Sequence, residues 1–129
     1  KDYSSEFAND FLSESLLSPK TYAAVNLSKT DYETISSSLL EKGIVCEKDE
    51  DAKTAFTIKN AGSVENLSEF KNGLFFIQDK ASQIAIQNLR LEENMRVLDV
   101  CAAPGGKSFT AASLIKNSGE IVSCDIGSY

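Results

Sequence analysis

The chain has 129 residues, 42% hydrophobic and 25% charged, and its 13 Lys+Arg against 19 Asp+Glu leave a net charge of −6. That length buries roughly two-thirds of the surface an unfolded chain exposes, enough for one domain or two small pieces. The absence of histidine removes the commonest general base and metal ligand, and with it Ser-His-Asp triads and His-based zinc sites.

No apolar run approaches the ~20 residues of a membrane span, and no signal-peptide core is visible. The three cysteines, Cys46, Cys101 and Cys124, are too scattered for a disulfide framework or a CxxC zinc site. A cytoplasmic protein with no membrane partner and no metal is expected. Residue 1 is Lys rather than Met, which reads as a piece of something longer. Residues 1–78 carry 8 basic and 13 acidic groups and residues 79–129 carry 5 and 6, so bulk charge repels nucleic acid. Contact with RNA would need a local patch or a basic domain upstream.

In chain order, Ala8, Phe11, Leu12 and Leu16 form one stripe of an amphipathic helix, expected to pack and to end before Pro19. Residues 1–20 are therefore a leading helix and linker. Thr21–Leu27 alternates as a strand, with Ala23, Val25 and Leu27 on its inner face. Thr30 and Glu33 form a capping box for a helix whose face is Tyr32, Ile35 and Leu39, stopped by Gly43. Ile44–Glu47 and Ala55–Lys59 are strands around an acidic turn, Lys48–Asp51, expected to be a solvated hairpin tip. Val64–Phe70 is a short helix, and Leu74–Ile77 a compact strand. The order strand, helix, strand, strand, helix, strand predicts a small α+β ferredoxin-like (RRM-like) RNA-binding domain over residues 21–77. Lys71, Gly73, Phe75 and Phe76 only faintly echo the base-stacking strand of such domains, and core packing is the expected role of the aromatics.

From residue 78 the pattern changes. Asp79 caps a helix with Ala81, Ile84, Ala85 and Leu89 on its face, and Arg90–Asn94 is a polar loop. Met95–Val100 reads as a buried strand, Cys101–Gly106 as a small-residue turn, and Lys107–Lys116 as a helix with Phe109, Ala111, Ala112, Leu114 and Ile115 inward. A strand, Ile121–Cys124, then ends on Asp125. This is the start of a βαβ unit, whose ligand site lies at the carboxyl ends of its strands.

Gly105 and Gly106 let the backbone approach a ligand at the helix start. Gly106-Lys107-Ser108 fits the end of a P-loop, but the loop's first glycine falls on Cys101. The GxGxxG dinucleotide fingerprint is absent, and Pro104 removes an amide that a pyrophosphate would use. S-adenosylmethionine has no phosphate, needs close backbone packing, and wants an acid for its ribose where Asp125 stands.

Asp99-Val-Cys-Ala-Ala-Pro-Gly-Gly-Lys107 resembles the cofactor motif of the Sun/Fmu (RsmB-type, NOL1/NOP2/Sun) family of S-adenosylmethionine-dependent RNA cytosine-5 methyltransferases. Asn72-Gly-Leu-Phe-Phe-Ile-Gln-Asp-Lys-Ala-Ser82 resembles that family's upstream motif, and Ala24-Val-Asn-Leu-Ser-Lys29 the start of its RNA-binding portion. The resemblance implies an α/β chain in which residues 78–129 begin a Rossmann-like methyltransferase domain, truncated after its second strand. It further implies that Cys101, Ala102, Ala103, Pro104, Gly105, Gly106 and Lys107 form the cofactor loop, with Asp125 on the ribose. Asp99 then orients the loop or faces the methionine amine, and Gln78 and Asp79 lie near the cofactor. The implied partner is RNA, with bacterial small-subunit rRNA nearest.

Cytosine C5 is too weak a nucleophile to take a methyl group unaided, so the family attacks C6 with a cysteine thiolate, methylates C5 and removes the C5 proton. The resemblance puts that cysteine in motifs beyond Tyr129, so these 129 residues alone are expected to be inactive. Two other readings stay open: a non-catalytic RNA-binding or assembly module with a relic cofactor fold, and a P-loop-like nucleotide binder.

Overall fold

The computed structural model describes residues 3–17 and 19–127; Lys1, Asp2, Ser18, Ser128 and Tyr129 lie outside the described residues. Helix α1, Ser5–Ser15, is capped by Ser4, whose side chain accepts from the Phe7 N–H. It buries no residue, so the expected packing stripe is instead an exposed one, on which Tyr3, Phe7 and Phe11 stack in a row.

Strands β1 (Thr21–Val25), β2 (Val45–Lys48), β3 (Ala55–Lys59) and β4 (Phe75–Ile77) form one antiparallel sheet in the order β2-β3-β1-β4. The register pairs Ala23 with both Phe56 and Ile77, and Val25 with Phe75. Helices α2 (Tyr32–Leu40) and α3 (Ser68–Lys71) join these strands. Ala23, Val25, Phe56, Ile58 and Phe75 meet Ile35, Leu39 and Ile44 in one core. There the Phe56 ring stands edge-on to Tyr32 and Phe75, with centroids 5.8 and 5.7 Å away.

The alternation expected of β1 fails. Ala24 is as buried as Ala23 and Val25, because helix α4 (Lys80–Gln87) lies against the other side of the strand, while Leu27 falls beyond it and is exposed. The cap of α2 is also corrected: Asp31, not Thr30, accepts the Thr34 N–H at 2.8 Å, because the helix starts one residue later than a Thr30 cap requires. Gly43, at φ +76°, ends that helix as expected, with the Ile44 N–H returning to the Leu39 carbonyl. The acidic turn is docked rather than free. Lys80 of α4 bridges Asp49 and Asp51 at 2.9 and 2.6 Å, and the Gln87 side chain closes on the Lys53 N–H and the Asp51 carbonyl.

The face of α4 is corrected as well. Gln83 and Ile86 point inward, while Ala81, Ala85 and Leu89 are exposed. Gln83, 1% exposed, donates to the carbonyls of Ala23 and Gln78 and accepts from Thr54 Oγ1, so a polar side chain fills the seam that periodicity assigned to apolar ones.

Strands β5 (Arg96–Asp99) and β6 (Glu120–Ser123) pair in parallel around helix α5 (Gly106–Leu114). Met95–Val100 is not the buried strand expected: Val97 and Asp99 are half-buried, whereas Leu98 and Val100 are each 64% exposed. Among the described residues nothing covers the face carrying Leu98 and Val122. On α5, Ala111 and Ile115 are inward as expected, but Phe109 is 60% exposed and rests against Phe76 of β4. Thr110 and Ser113 take the inner positions, where the Ser113 hydroxyl receives the Leu27 N–H from the four-stranded sheet.

Candidate functional site

Between β5 and α5 the chain turns tightly at the carboxyl ends of the parallel strands. The turn is anchored to the chain after β6: the Ala102 N–H donates to the Cys124 carbonyl at 3.0 Å, and the Cys124 N–H to the Asp99 carbonyl at 2.8 Å. Asp99 orients the turn, accepting from the Cys101 N–H and from Ser108 Oγ, whose oxygen also lies 2.8 Å from Ser123 Oγ. Both side-chain oxygens of Asp99 are thereby engaged by the loop and the helix it precedes.

Asp125 meets the loop directly. One carboxylate oxygen accepts the Ala103 N–H at 2.9 Å and the other the Ile126 N–H at 2.8 Å. Those backbone donors hold its carboxyl below the usual range, so it is an exposed anion, and each oxygen keeps a lone pair for a hydroxyl. Lys107 turns inward, with Nζ 2.5 Å from the Cys101 carbonyl and 3.8 Å from Asp99. Cys101, Ala102, Ala103, Pro104, Gly105, Gly106, Lys107 and Asp125 are thus brought together in one small region.

Two glycines allow the close approach. Gly105 caps α5 at φ +107°, a conformation that disfavours any side chain, and a Cβ there would meet the Phe109 ring at 3.3 Å. A Cβ on Gly106 would come within 3.3 Å of Gln78 Nε2. The loop divides two clefts that share Ala103 and Pro104. One, of about 330 Å³, is walled by Ile77, Gln78, Ser82 and Lys107; the other, of about 460 Å³, by Gly105, Ser108, Phe109 and Ser123.

The sequence does not single out Phe109 and Thr110 for the site, and it marks Ser108 only as the end of the P-loop match. Ser108 and Thr110 look like ordinary helix residues, and only their distance of three or four positions from Gly105 and Gly106 hints that they face the turn. Among the described residues no group of three or more Cys, Asp or Glu side chains is placed to hold a metal ion.

Residues 86–129 match the family 16S rRNA methyltransferase RsmB/F. Over those residues the chain is similar to that family. It is 35% identical over 124 residues, 96% of its length, to a probable ribosomal RNA small subunit methyltransferase B of Bacillus subtilis, of which it covers 28%. It is 31% identical over 105 residues, 81% of its length, to a 25S rRNA (cytosine-C(5))-methyltransferase of Arabidopsis thaliana, of which it covers 18%. The crystal structure of a methyltransferase homologue from Pyrococcus horikoshii superposes with a TM-score of 0.79 at 28% identity, covering 97% of this chain and 45% of that one. The mixed α/β arrangement with its antiparallel sheet is therefore shared with methyltransferases. The chain spans less than a third of the length of these two curated relatives.

Proposed function

We propose that the chain forms part of an S-adenosylmethionine-dependent RNA cytosine-5 methyltransferase, cytoplasmic and acting on small-subunit rRNA. The observation that carries this reading is the close-packed Cys101–Lys107 turn with the ionised Asp125 at its edge. Both glycines present backbone where a side chain would obstruct, and the unpartnered Gln78 amide lies beside them, so the residues present suit the cofactor. When bound, S-adenosylmethionine supplies an electrophilic methyl group. In this proposal Asp125 holds the ribose hydroxyls, Asp99 fixes the turn through Cys101 and Ser108, and the Lys107 ammonium braces the loop from within.

Lys107 is also what disfavours the P-loop alternative. Its ammonium is turned onto the Cys101 carbonyl instead of outward to a phosphate, and the Cβ of Cys101 stands where a P-loop has its first glycine.

None of the three cysteines has the surroundings of an attacking thiolate. Burial pushes the Cys46 thiol up, away from reactivity, and Cys46 sits in β2 on the small sheet. The main chain of Cys101 and Cys124 closes the loop, and among the described residues no lysine, arginine or helix N-terminus is hydrogen-bonded to either thiol. The nucleophile is accordingly assigned to residues other than these.

Residues 21–77, with sheet order β2-β3-β1-β4 and two connecting helices, support reading the small unit as ferredoxin-like and RRM-like. Residues 78–129 are then the opening βαβ of a Rossmann-like domain, with residues 1–20 as the leading helix. Because α4 covers the side of the sheet bearing Ala24, RNA is not stacked on that face but meets the unit elsewhere. A titration of the chain with S-adenosylmethionine and, separately, with ATP and magnesium tests the proposal. Saturable binding of the sulfonium cofactor alone is expected; preference for the nucleotide would restore the P-loop reading.

A further inference from the structure

In a chain this acidic, most lysines and arginines have a carboxylate within 4 Å, as Lys42, Lys80 and Lys116 do. Among the described residues five have none. One, Lys20, stands at the start of β1; the other four, Lys29, Lys53, Lys71 and Arg90, are exposed and gather around the opposite end of that strand.

Backbone pairing brings them there in two pairs. On the β3 side the Val25 N–H donates to the Thr54 carbonyl, beside Lys53, and the Gln87 side chain accepts the Lys53 N–H at 2.8 Å. Lys53 is thereby fixed against the last turn of α4, where it shares a cleft of about 320 Å³ with Arg90. On the β4 side the Asn26 side chain donates to the Gly73 carbonyl, and Lys29 Nζ to the Asn72 carbonyl at 2.9 Å, next to Lys71. Arg90 lies just past α4 at φ +51°, a conformation that glycine adopts freely and a side chain only at a cost, so the guanidinium is kept where the backbone alone would favour its loss. The acids at this end are Glu92 in the cleft and Asp31 at the α2 cap, while Asp49 and Asp51 share Lys80. Positive charge therefore prevails locally in a chain of net charge −6.

We propose that this end of the small sheet grips the phosphate backbone of RNA, Lys53 and Arg90 on one phosphodiester and Lys29 and Lys71 on another. The inference rests on the RNA reading above and adds the surface to it. β3 and β4 flank β1, so the two pairs stand about 10 Å apart, two strand spacings, and call for negative charge repeated along a strand. A phosphodiester chain carries such a charge at every residue, and its oxygens accept the planar fork of an arginine. The contact is remote from the cofactor turn. Helix α5 runs from Gly106 at the turn to Ser113, which accepts the Leu27 N–H at this end, about 13 Å along its nine residues. Bound there, the backbone sets the register of the RNA and leaves the base to be methylated free to reach the turn.

The test is fluorescence anisotropy of the full chain with a short single-stranded RNA across about 50 to 200 mM salt. Replacing Lys53 and Arg90 together by Ala, or Lys29 and Lys71 together, is expected to weaken binding about 10-fold at the low-salt end and to flatten the slope of log affinity against log salt by about 1. Replacing Lys20 and Lys59 by Ala removes as much charge at the other end of the sheet and should leave affinity within about twofold. Arg90→Gly separates binding from folding: it should weaken RNA binding without lowering the melting temperature, since glycine suits the backbone there. Equal losses in all three double variants would reduce the effect to bulk charge and overturn the proposal, as would equal binding of a polyglutamate peptide, which would reassign the surface to an acidic protein. If the wild-type chain binds RNA and the variants bind it equally well, the RNA reading stands and this surface falls. If the wild-type chain binds no RNA, both fall, while the cofactor titration still decides the methyltransferase reading on its own.

Discussion

The four-stranded sheet and the β5–β6 pair both carry apolar strands, yet they treat them differently. In the first, Ala23, Ala24, Val25, Phe56 and Phe75 are all buried to 2% or less, whereas in the second Leu98 and Val122 remain exposed. The small sheet owns a core closed on both sides. The parallel pair is covered on one side only and is held to the sheet, beside the Phe76–Phe109 contact, by polar side chains: Gln78 under Thr110, and Ser113 on the Leu27 N–H. Apolar burial stabilises the one unit, and directed hydrogen bonds position the other. That division suits a loop whose backbone must be fixed to a fraction of an ångström.

The largest effect is expected where the apolar core is cut. Phe56→Ala removes a fully buried ring from between Tyr32 and Phe75 and should destabilise the chain by about 4 kcal/mol in urea unfolding. A loss near 1 kcal/mol would mean that the small sheet is not the stable partner. Next comes the seam. Gln83→Leu strands Thr54 Oγ1 and two carbonyls, at a cost of about 2 kcal/mol, and should speed hydrogen exchange in α4 more than in β3. Equal acceleration in both would erase the distinction between the units.

A smaller, pH-dependent effect belongs to the small sheet alone. Burial pushes the Glu69 carboxyl up, but hydrogen bonds from Lys42 and Ser38 outweigh it and bring it down to about 2 from 4.5. Its folded value lies below its unfolded one, so its contribution is full above about pH 4.5 and disappears as pH falls towards 2. The stability gap between wild type and Glu69→Gln should therefore be flat from pH 7 to about 5 and close below it. A gap that persists unchanged at pH 2 would contradict the assignment. The smallest effect is expected at the uncovered face, where Leu98→Ser should change stability by no more than about 0.5 kcal/mol.

Much of this organisation is legible in the sequence. Gly43, Pro19 and the short apolar runs mark the element order, and the small residues from Cys101 to Gly106, followed by Lys107, mark the turn before any coordinate is known. What escapes is which side of an element is covered. Ala81, Ile84, Ala85 and Leu89 read as the apolar stripe of α4, but Gln83 turns inward to donate to the Ala23 and Gln78 carbonyls, which an alanine could not do. Asp31 displaces Thr30 as the cap because the start of a helix depends on backbone angles at one residue, which Ser, Thr and Asp signal almost equally. Met95–Val100 reads as buried because parallel strands generally are, and nothing local to those residues records what lies over them.

The measurement that bears most directly on the role of the Cys101–Lys107 turn is an amide-resolved NMR titration of the chain with S-adenosylhomocysteine. The expected result is saturable shifts concentrated at Ala102, Ala103, Gly105, Gly106, Lys107 and Asp125, with β2 and β3 silent. Shifts centred instead on Lys53, Gln87 and Arg90, which line a separate cleft of about 320 Å³, would contradict the assignment of the cofactor to this turn.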